Sequence, residues 1–140
     1  MANLVLSVIE AVQHGDLKYV KQHVGSMDRN TESTTSLLDA NTCDTDKCSL
    51  LHWACINNRV DIATFLVEQG ADVNSKGGVL NETPLQWACR SESYGFTHLI
   101  QLLLRQDGIH LHHKSTAGFD AVHIALRAGK LHVLLLFLRT

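Results

Sequence analysis

The stretch Thr83-Pro-Leu-Gln-Trp-Ala-Cys89 decides the fold, because the chain carries it more than once. An earlier copy, Ser49-Leu-Leu-His-Trp-Ala-Cys55, begins 34 residues before it, and a later copy, Asp120-Ala-Val-His-Ile-Ala-Leu126, begins 37 residues after it. Self-similarity at a period of about 20 to 50 residues is the signature of a repeat architecture. The sequence therefore predicts a stack of similar units rather than a domain with one central core.

A second amphipathic pattern follows each copy, at residues 60–69, 97–106 and 131–138. Thr83 is expected to cap the first helix of its unit, and Pro84 to take the first helical position, where the N–H that proline lacks would be unpaired anyway. Gly70 suits the left-handed residue that ends a second helix. Three extra residues at 92–94 account for the longer spacing to the last copy and belong in a turn. One unit is thus predicted to be helix, turn, helix and projecting loop.

The beginning of the chain is predicted to be a degenerate copy of the same unit. Residues 8–24 keep the alanine, the glycine after the first helix and an apolar stripe, whereas residues 26–47 are rich in Ser, Thr, Asn and Asp. Such a polar stretch predicts a mobile loop. We therefore predict an all-α solenoid forming one domain over 1–140, with about four units at approximately 3–25, 49–82, 83–119 and 120–140, and a mobile loop at 26–47.

Composition excludes several classes of function. With 12 basic and 14 acidic residues, the net charge of −2 gives no field that would recruit nucleic acid or anionic lipid. The longest apolar run, 133–138, is far shorter than the roughly 20 residues of a membrane span, and the start lacks the basic region of a signal peptide. We expect a cytoplasmic protein without a cofactor.

The four cysteines form no C-x-x-C pair and are expected to be reduced thiols. Cys55 and Cys89 occupy a small-residue position of their helices, which indicates packing. Cys43 and Cys48 lie in or beside the polar loop, and we expect both to be exposed thiols open to oxidation.

Several of these strings resemble a known repeat. Thr-Pro-Leu-x-x-Ala at 83–88 and Gly-Ala-Asp-Val-Asn at 70–74 resemble the ankyrin repeat, whose period is about 33 residues. Residues 51–61 (LHWACINNRVD) and 77–88 (GGVLNETPLQWA) are similar to the ankyrin domain of membrane S-acyltransferases, the DHHC palmitoyltransferases of the Akr1 and huntingtin-interacting-protein-14 type. The resemblance implies a cytosolic module that recruits substrates to a catalytic Asp-His-His-Cys domain, at the cytosolic face of the Golgi and other endomembranes.

The chain departs from that family in the part that does the chemistry. It contains no Asp-His-His-Cys, and the nearest string is Leu111-His-His-Lys114. We therefore expect no catalysis by this chain, and predict a protein–protein interaction module that binds short extended peptides through a concave groove. The alternative is the substrate-recruiting part of a membrane-bound palmitoyltransferase. A short paralogue, a truncated splice product, a fragment and a decoy competing with the full enzyme all remain open.

The candidate peptide-binding residues are Trp53, Asn57 and Trp87. Trp53 and Trp87 share one register, so stacking would place them on neighbouring helices about 8–10 Å apart. Packing between helices is favoured for Trp53, whereas packing and ligand binding are both open for Trp87. Asn57 follows Trp53 by one helical turn, and a carboxamide can pair with the backbone of an extended peptide. The resemblance implies partners with a short motif ending in Gln-Pro that docks at the positions of Asn57 and Trp87.

The histidines are interpreted structurally. His52 and His123 stand at a position where the imidazole ties one repeat to the next, and Gln86 takes that position in the unit between them. His110, His112 and His113 are expected to form a solvated loop rather than a metal site, because they have no Cys or carboxylate partners nearby.

The last predicted helix, 131–138, is apolar almost all round. A terminal repeat normally has a polar outer face. We expect that further repeats follow, that this face pairs with another chain in self-association, or that the product is poorly soluble.

Overall fold

The computed structural model describes residues 2–25, 38–91 and 97–139, and these form eight helices. The helices are α1 (Ala2–His14), α2 (Leu17–His23), α3 (Leu50–Ile56), α4 (Val60–Glu68), α5 (Pro84–Arg90), α6 (Thr97–Leu104), α7 (Ala121–Arg127) and α8 (Leu131–Leu138). They pair in chain order into four helix–turn–helix units. The insertion predicted at 92–94 lies outside the described residues.

The helices form two layers. The inner layer is α1, α3, α5 and α7 side by side, and the outer layer is α2, α4, α6 and α8. Ala54, Ala88 and Ala125 take the same position in three inner helices and are buried, which lets these helices approach closely. Leucines one turn away, such as Leu51 and Leu85, are fully buried between the layers. Each unit therefore covers the apolar face of its neighbour.

The helix starts and stops follow the sequence signals. Thr83 accepts a hydrogen bond from the Gln86 N–H and Pro84 takes the first helical position, as predicted. Gly15 and Gly70 have φ values of 81° and 93°, in the left-handed region that favours glycine. Arg59 donates two hydrogen bonds, of 3.1 and 2.7 Å, to the Gln13 carbonyl at the end of α1. This contact joins the degenerate first unit to the second.

Three projecting segments precede α3, α5 and α7, and we call them finger 1 (39–48), finger 2 (72–82) and finger 3 (109–119). Each finger bonds to the next: the Gly78 N–H donates to the Asp46 carbonyl and the Thr116 N–H to the Leu80 carbonyl, both at 2.9 Å. Finger 1 covers most of the second half of the predicted loop 26–47. Its turns are defined here, and Ala40 is buried; residues 26–37 lie outside the described residues.

Two asparagines join the fingers at their bases, and sequence reasoning did not single them out. The Asn41 carboxamide accepts from the Asp72 N–H at 2.6 Å and donates to the Gly70 carbonyl at 3.3 Å. One repeat later, Asn74 does the same with the His110 N–H and the Gly108 carbonyl, both at 2.8 Å. The recurrence of this pattern shows that finger 1 is the projecting loop of a regular unit.

Helix α8 leaves much of its apolar surface uncovered. Val133 is buried, but Leu131, Leu135 and Leu138 are 70%, 59% and 81% exposed. Self-association through this face stays a prediction. Within the described ranges, no helix has the length and apolar character that a membrane span requires.

Candidate functional site

An aromatic cluster lies where the inner helices meet the fingers. The Trp53 and Trp87 rings are 5.5 Å apart between centroids and nearly perpendicular, at 88°, and the His52 ring meets Trp87 edge-on at 5.0 Å. Edge-to-face pairs of this kind are worth about 0.5–1.5 kcal/mol each beyond burial. Both indoles are half-buried. The shared register predicted from the repeat thus brings the two tryptophans into direct contact.

The two indoles differ in their polar contacts. Trp53 Nε1 donates to Asp44 Oδ2 in finger 1 at 3.2 Å, which fixes that ring in place. No described residue accepts a hydrogen bond from Trp87 Nε1. The Trp87 ring contacts the rings of Trp53 and His52, and its N–H has no acceptor in the part of the chain that the structure describes, so of the two indoles Trp87 is the better candidate for a ligand contact.

The Trp87 ring lies close to the backbone of Gly78 in finger 2. A Cβ added at Gly78 would lie 3.3 Å from Trp87 Cζ2 and 3.6 Å from Cys48 Sγ. Gly78 has φ of 78°, so its backbone geometry favours glycine, and the close approach to Trp87 leaves little room for a Cβ. The groove, as we call it, is the surface between inner helices and fingers that is lined by Trp53, Asn57, Trp87, Arg90 and Arg127.

The expectation that Cys48 is an exposed thiol is wrong. It is 4% exposed, because finger 2 folds over it, whereas Cys43 is exposed as expected. Burial, with the carboxylates of Asp44 and Asp46 nearby, raises the pKa of Cys48 to about 11. Cys55 and Cys89 pack in the core as predicted, and burial raises the pKa of Cys89 to about 12. These three buried side chains are thiols at neutral pH.

Asn57 ends α3 beside the cluster. Its Nδ2 donates to the Trp53 carbonyl at 2.9 Å, closing the last turn of the helix. Its Oδ1 has no partner among the described residues. A clamp that both donates to and accepts from a peptide backbone was predicted here, and it stays a prediction. Among the described residues, the amide of Asn57 has one donor engaged within α3 and its acceptor free.

His52 joins two repeats through one defined tautomer. Its Nδ1 accepts from the Ser49 N–H at 3.1 Å, so the ring proton is on Nε2, which donates to the Glu82 carbonyl at 2.7 Å. Gln86 makes the same connection one unit later: Oε1 accepts from the Thr83 N–H at 2.8 Å, and Nε2 donates to the Phe119 carbonyl at 3.0 Å. The structural role predicted for His52 is therefore confirmed, and Gln86 reproduces it with an amide.

The role predicted for His123 stays a prediction. Its ring is exposed and its Nδ1 contacts Asp120 Oδ1 of its own turn at 2.7 Å. The tie to a next repeat needs a carbonyl in a following finger, and no finger follows α8 in the described chain. The three histidines of finger 3 line one pocket, in which His110 and His112 are exposed, while His113 Nε2 contacts the Asn81 carbonyl at 2.8 Å. The described residues contain no group of three His, Cys, Asp or Glu side chains arranged to hold a metal ion.

Glu82 makes several of the contacts that hold finger 2 in place, and sequence reasoning did not identify it. Its backbone pairs with Gly77 in both directions at 2.9 Å, and its carbonyl receives the His52 bond. Its buried carboxylate makes a two-pronged contact with Arg90, at 2.5 and 2.6 Å. A planar guanidinium suits such a pair. Arg90 thereby fixes finger 2 over the groove. Glu82 and Arg90 are eight positions apart, and the sequence pattern did not predict a contact between them.

Replacing His52 by glutamine tests this reading of the repeat junction. Burial lowers the pKa of His52 below its ordinary value of 6.5. The unfolded chain takes up a proton near that pH and the folded chain only at lower pH, so stability is complete above about pH 6.5 and falls below it. We expect His52→Gln to reduce the loss of unfolding free energy between pH 7 and 5 by about 1 to 2 kcal/mol, measured by urea denaturation.

His98→Gln is the matched control, because His98 is exposed on α6. It should leave the acid-dependent loss of stability unchanged. If His52→Gln and the parent protein lost the same unfolding free energy between pH 7 and 5, the assignment of the neutral tautomer would be contradicted.

The comparison with protein families agrees with this geometry. The family model for ankyrin repeats (3 copies) matches residues 8–115. The chain belongs to the ankyrin-repeat family. The predicted all-α solenoid and the resemblance to ankyrin repeats are thereby confirmed. Ankyrin repeats in general are protein-interaction modules that use an extended concave surface.

The chain is also similar to part of several longer proteins. It is 34% identical over 121 residues to Palmitoyltransferase AKR1 of Lachancea kluyveri, covering 86% of this chain and 15% of that protein. It is 37% identical over 124 residues to Palmitoyltransferase ZDHHC13 of Homo sapiens, covering 89% and 19%. Palmitoyltransferase Hip14 of Drosophila melanogaster is 36% identical over 117 residues, covering 84% and 16%. The chain thus spans less than a fifth of the length of these relatives.

Proposed function

We propose that this ankyrin-repeat chain binds a short extended peptide of a partner protein in its groove. The observation that carries the proposal is the state of Trp87. Its half-buried ring contacts the rings of Trp53 and His52, lies beside the backbone of Gly78, and keeps an indole N–H that no described residue uses. An aromatic ring that is fixed but only partly covered is a low-entropy contact surface for an apolar side chain.

The neighbouring residues supply what an extended peptide needs. A peptide in an extended conformation presents backbone N–H groups at regular intervals, and Asn57 Oδ1 is an acceptor without a partner in the described chain. Trp53 has its own donor engaged by Asp44, so its contribution is to hold Trp87 and to line the groove floor. We therefore assign the backbone contact to Asn57 and the apolar contact to Trp87.

The partner motif follows from the resemblance in the sequence. A motif of the type aliphatic-x-x-Gln-Pro places a proline ring, which is rigid and apolar, on an aromatic platform. In this proposal the proline stacks on Trp87 and the preceding backbone meets Asn57. The chain itself performs no reaction and works in the cytoplasm, which accords with the buried thiols of Cys48, Cys55 and Cys89.

Equilibrium binding of a labelled peptide tests the proposal. Fluorescein-labelled Val-Ser-Ser-Gln-Pro-Ser-Ser is titrated with the protein, beside the same peptide with alanine in place of proline. We expect saturable binding of the first peptide and at least about ten-fold weaker binding of the second, since loss of a central anchor costs on the order of 1.4 kcal/mol or more. Equal affinity of the two peptides would contradict the assignment of Trp87 as the proline platform.

A second candidate is favoured by the comparisons. The similarity to three proteins named as palmitoyltransferases supports the view that the chain is the substrate-recruiting part of a membrane-bound enzyme of that kind. Mapping the transcript beyond the codon of the last residue distinguishes the two. A reading frame that continues into membrane spans and an Asp-His-His-Cys motif supports this second candidate, and a stop codon favours a free module.

A further inference from the structure

The groove continues past Trp87 into a basic pocket. A cavity of about 360 Å³ lies between α5, α7 and finger 3 and is lined by Arg90, Phe119, Ile124, Arg127 and Ala128. Ile124 occupies in α7 the position that Trp87 occupies in α5, so this pocket is one repeat further along the same surface. Arg90 belongs to both parts, because it follows Trp87 by one helical turn.

The charged side chains that line this pocket are both basic. Arg90 and Arg127 take the same register in successive units, where the unit before them has the apolar Ile56. Arg90 is paired with Glu82, yet its side chain is 44% exposed and lines the pocket. Arg127 lies over the Phe119 ring at 5.0 Å and has no carboxylate within ion-pair distance among the described residues. The other nearby carboxylate, Asp120, is engaged by His123.

We propose that this pocket binds an acidic side chain of the same peptide that occupies the groove, an inference that rests on the proposed function. The guanidinium of Arg127, which no carboxylate of the described residues pairs, supplies the charge, and its stacking on Phe119 holds it in a fixed orientation suited to a carboxylate. The pocket thereby adds a specificity requirement beyond the Gln-Pro motif: one or two Asp or Glu residues at a set distance from the proline.

The spacing fixes where those residues lie. The backbone before the proline meets Asn57 in one unit and the proline meets Trp87 in the next, so the chain after the proline runs toward α7. Neighbouring inner helices are about 8–10 Å apart, and an extended chain covers about 3.3 Å per residue. The acidic residues are therefore expected about three positions after the proline.

The test compares three labelled peptides that differ only at the end. They are Val-Ser-Ser-Gln-Pro-Ser-Ser followed by Glu-Glu, by Gln-Gln or by Lys-Lys. We expect the acidic peptide to bind about five-fold more tightly than the neutral one at low salt, with a smaller difference at high salt, and the basic peptide to bind most weakly. In Arg127→Gln the preference for the acidic peptide over the neutral one is expected to vanish.

The control is Arg105→Gln, which makes the same change of charge at an exposed position after α6, in the outer layer. It should keep the five-fold preference. Equal binding of the acidic and neutral peptides by the parent protein, with both saturable, would overturn the basic pocket and leave the groove intact. A preference for the acidic over the neutral peptide that persists in Arg127→Gln would also overturn the basic pocket and leave the groove intact. Absence of binding by all three peptides would overturn the proposed function and this inference with it.

Discussion

Replacing Trp87 by alanine is expected to weaken binding of the Gln-Pro peptide by at least about thirty-fold. Truncation of a central aromatic anchor typically costs about 2 kcal/mol or more, and this is the largest single effect expected in the groove. The loss has two parts: the platform for the proline disappears, and Trp53 and His52 lose the ring that they contact at 5.5 and 5.0 Å. Fluorescence anisotropy with the labelled peptide measures it directly.

The control separates binding from folding. Phe65 is partly buried on α4, in the outer layer, where its ring lies 5.8 Å from Lys21 Nζ. Phe65→Ala should lower stability and leave the affinity of the folded protein unchanged. If Trp87→Ala retained the parent affinity while its circular dichroism spectrum stayed intact, the groove would not be the binding surface.

Replacing Gly77 by alanine is expected to destabilise the protein by about 3 kcal/mol. The added Cβ would meet the Lys47 carbonyl oxygen at 2.1 Å and its carbon at 2.6 Å. Both are backbone atoms, so no side-chain rotation relieves the overlap, and fingers 1 and 2 must separate. Their separation breaks the bond from the Gly78 N–H to the Asp46 carbonyl. Overpacking of this kind costs about 1–3 kcal/mol and at times more; urea denaturation measures the loss.

Gly118→Ala is the comparison variant. Gly118 also lies in a finger and has φ of 85°, but a Cβ there would meet nothing within 4 Å. Only the cost of a left-handed alanine remains, about 1 kcal/mol. A Gly77 variant no less stable than the Gly118 variant would contradict the packing of the two fingers.

Local signals in the sequence predicted the features that depend on one unit. Thr83 and Pro84 cap and start α5, and the shared register of Trp53 and Trp87 brings their rings together, because these features depend only on helix geometry and on the repeat. Features that depend on contacts between fingers were missed. Asp44 lies in the stretch whose polar composition predicted a mobile loop, and Cys48 lies directly after it, yet Asp44 binds the Trp53 indole and Cys48 is buried.

His123 also shows that a role that depends on a neighbouring unit is not determined by local sequence signals. Its sequence context matches that of His52, but the bond that His52 makes needs the carbonyl of Glu82 in the next finger. A residue whose role lies in the neighbouring unit can be assigned only when that unit is seen. The pairing of Glu82 with Arg90 likewise depends on how finger 2 folds back, which periodicity does not encode.

The most direct test of the central claim uses the two indoles as reporters. The chain has two tryptophans, so an amide-correlation spectrum of ¹⁵N-labelled protein should show two indole N–H signals. On titration with the Gln-Pro peptide, the account predicts a large shift of the Trp87 signal, because its N–H has no partner among the described residues, and a smaller one for Trp53, which is bonded to Asp44. Saturable binding with both indole signals unmoved, and shifts confined to α4 and α6, would contradict it.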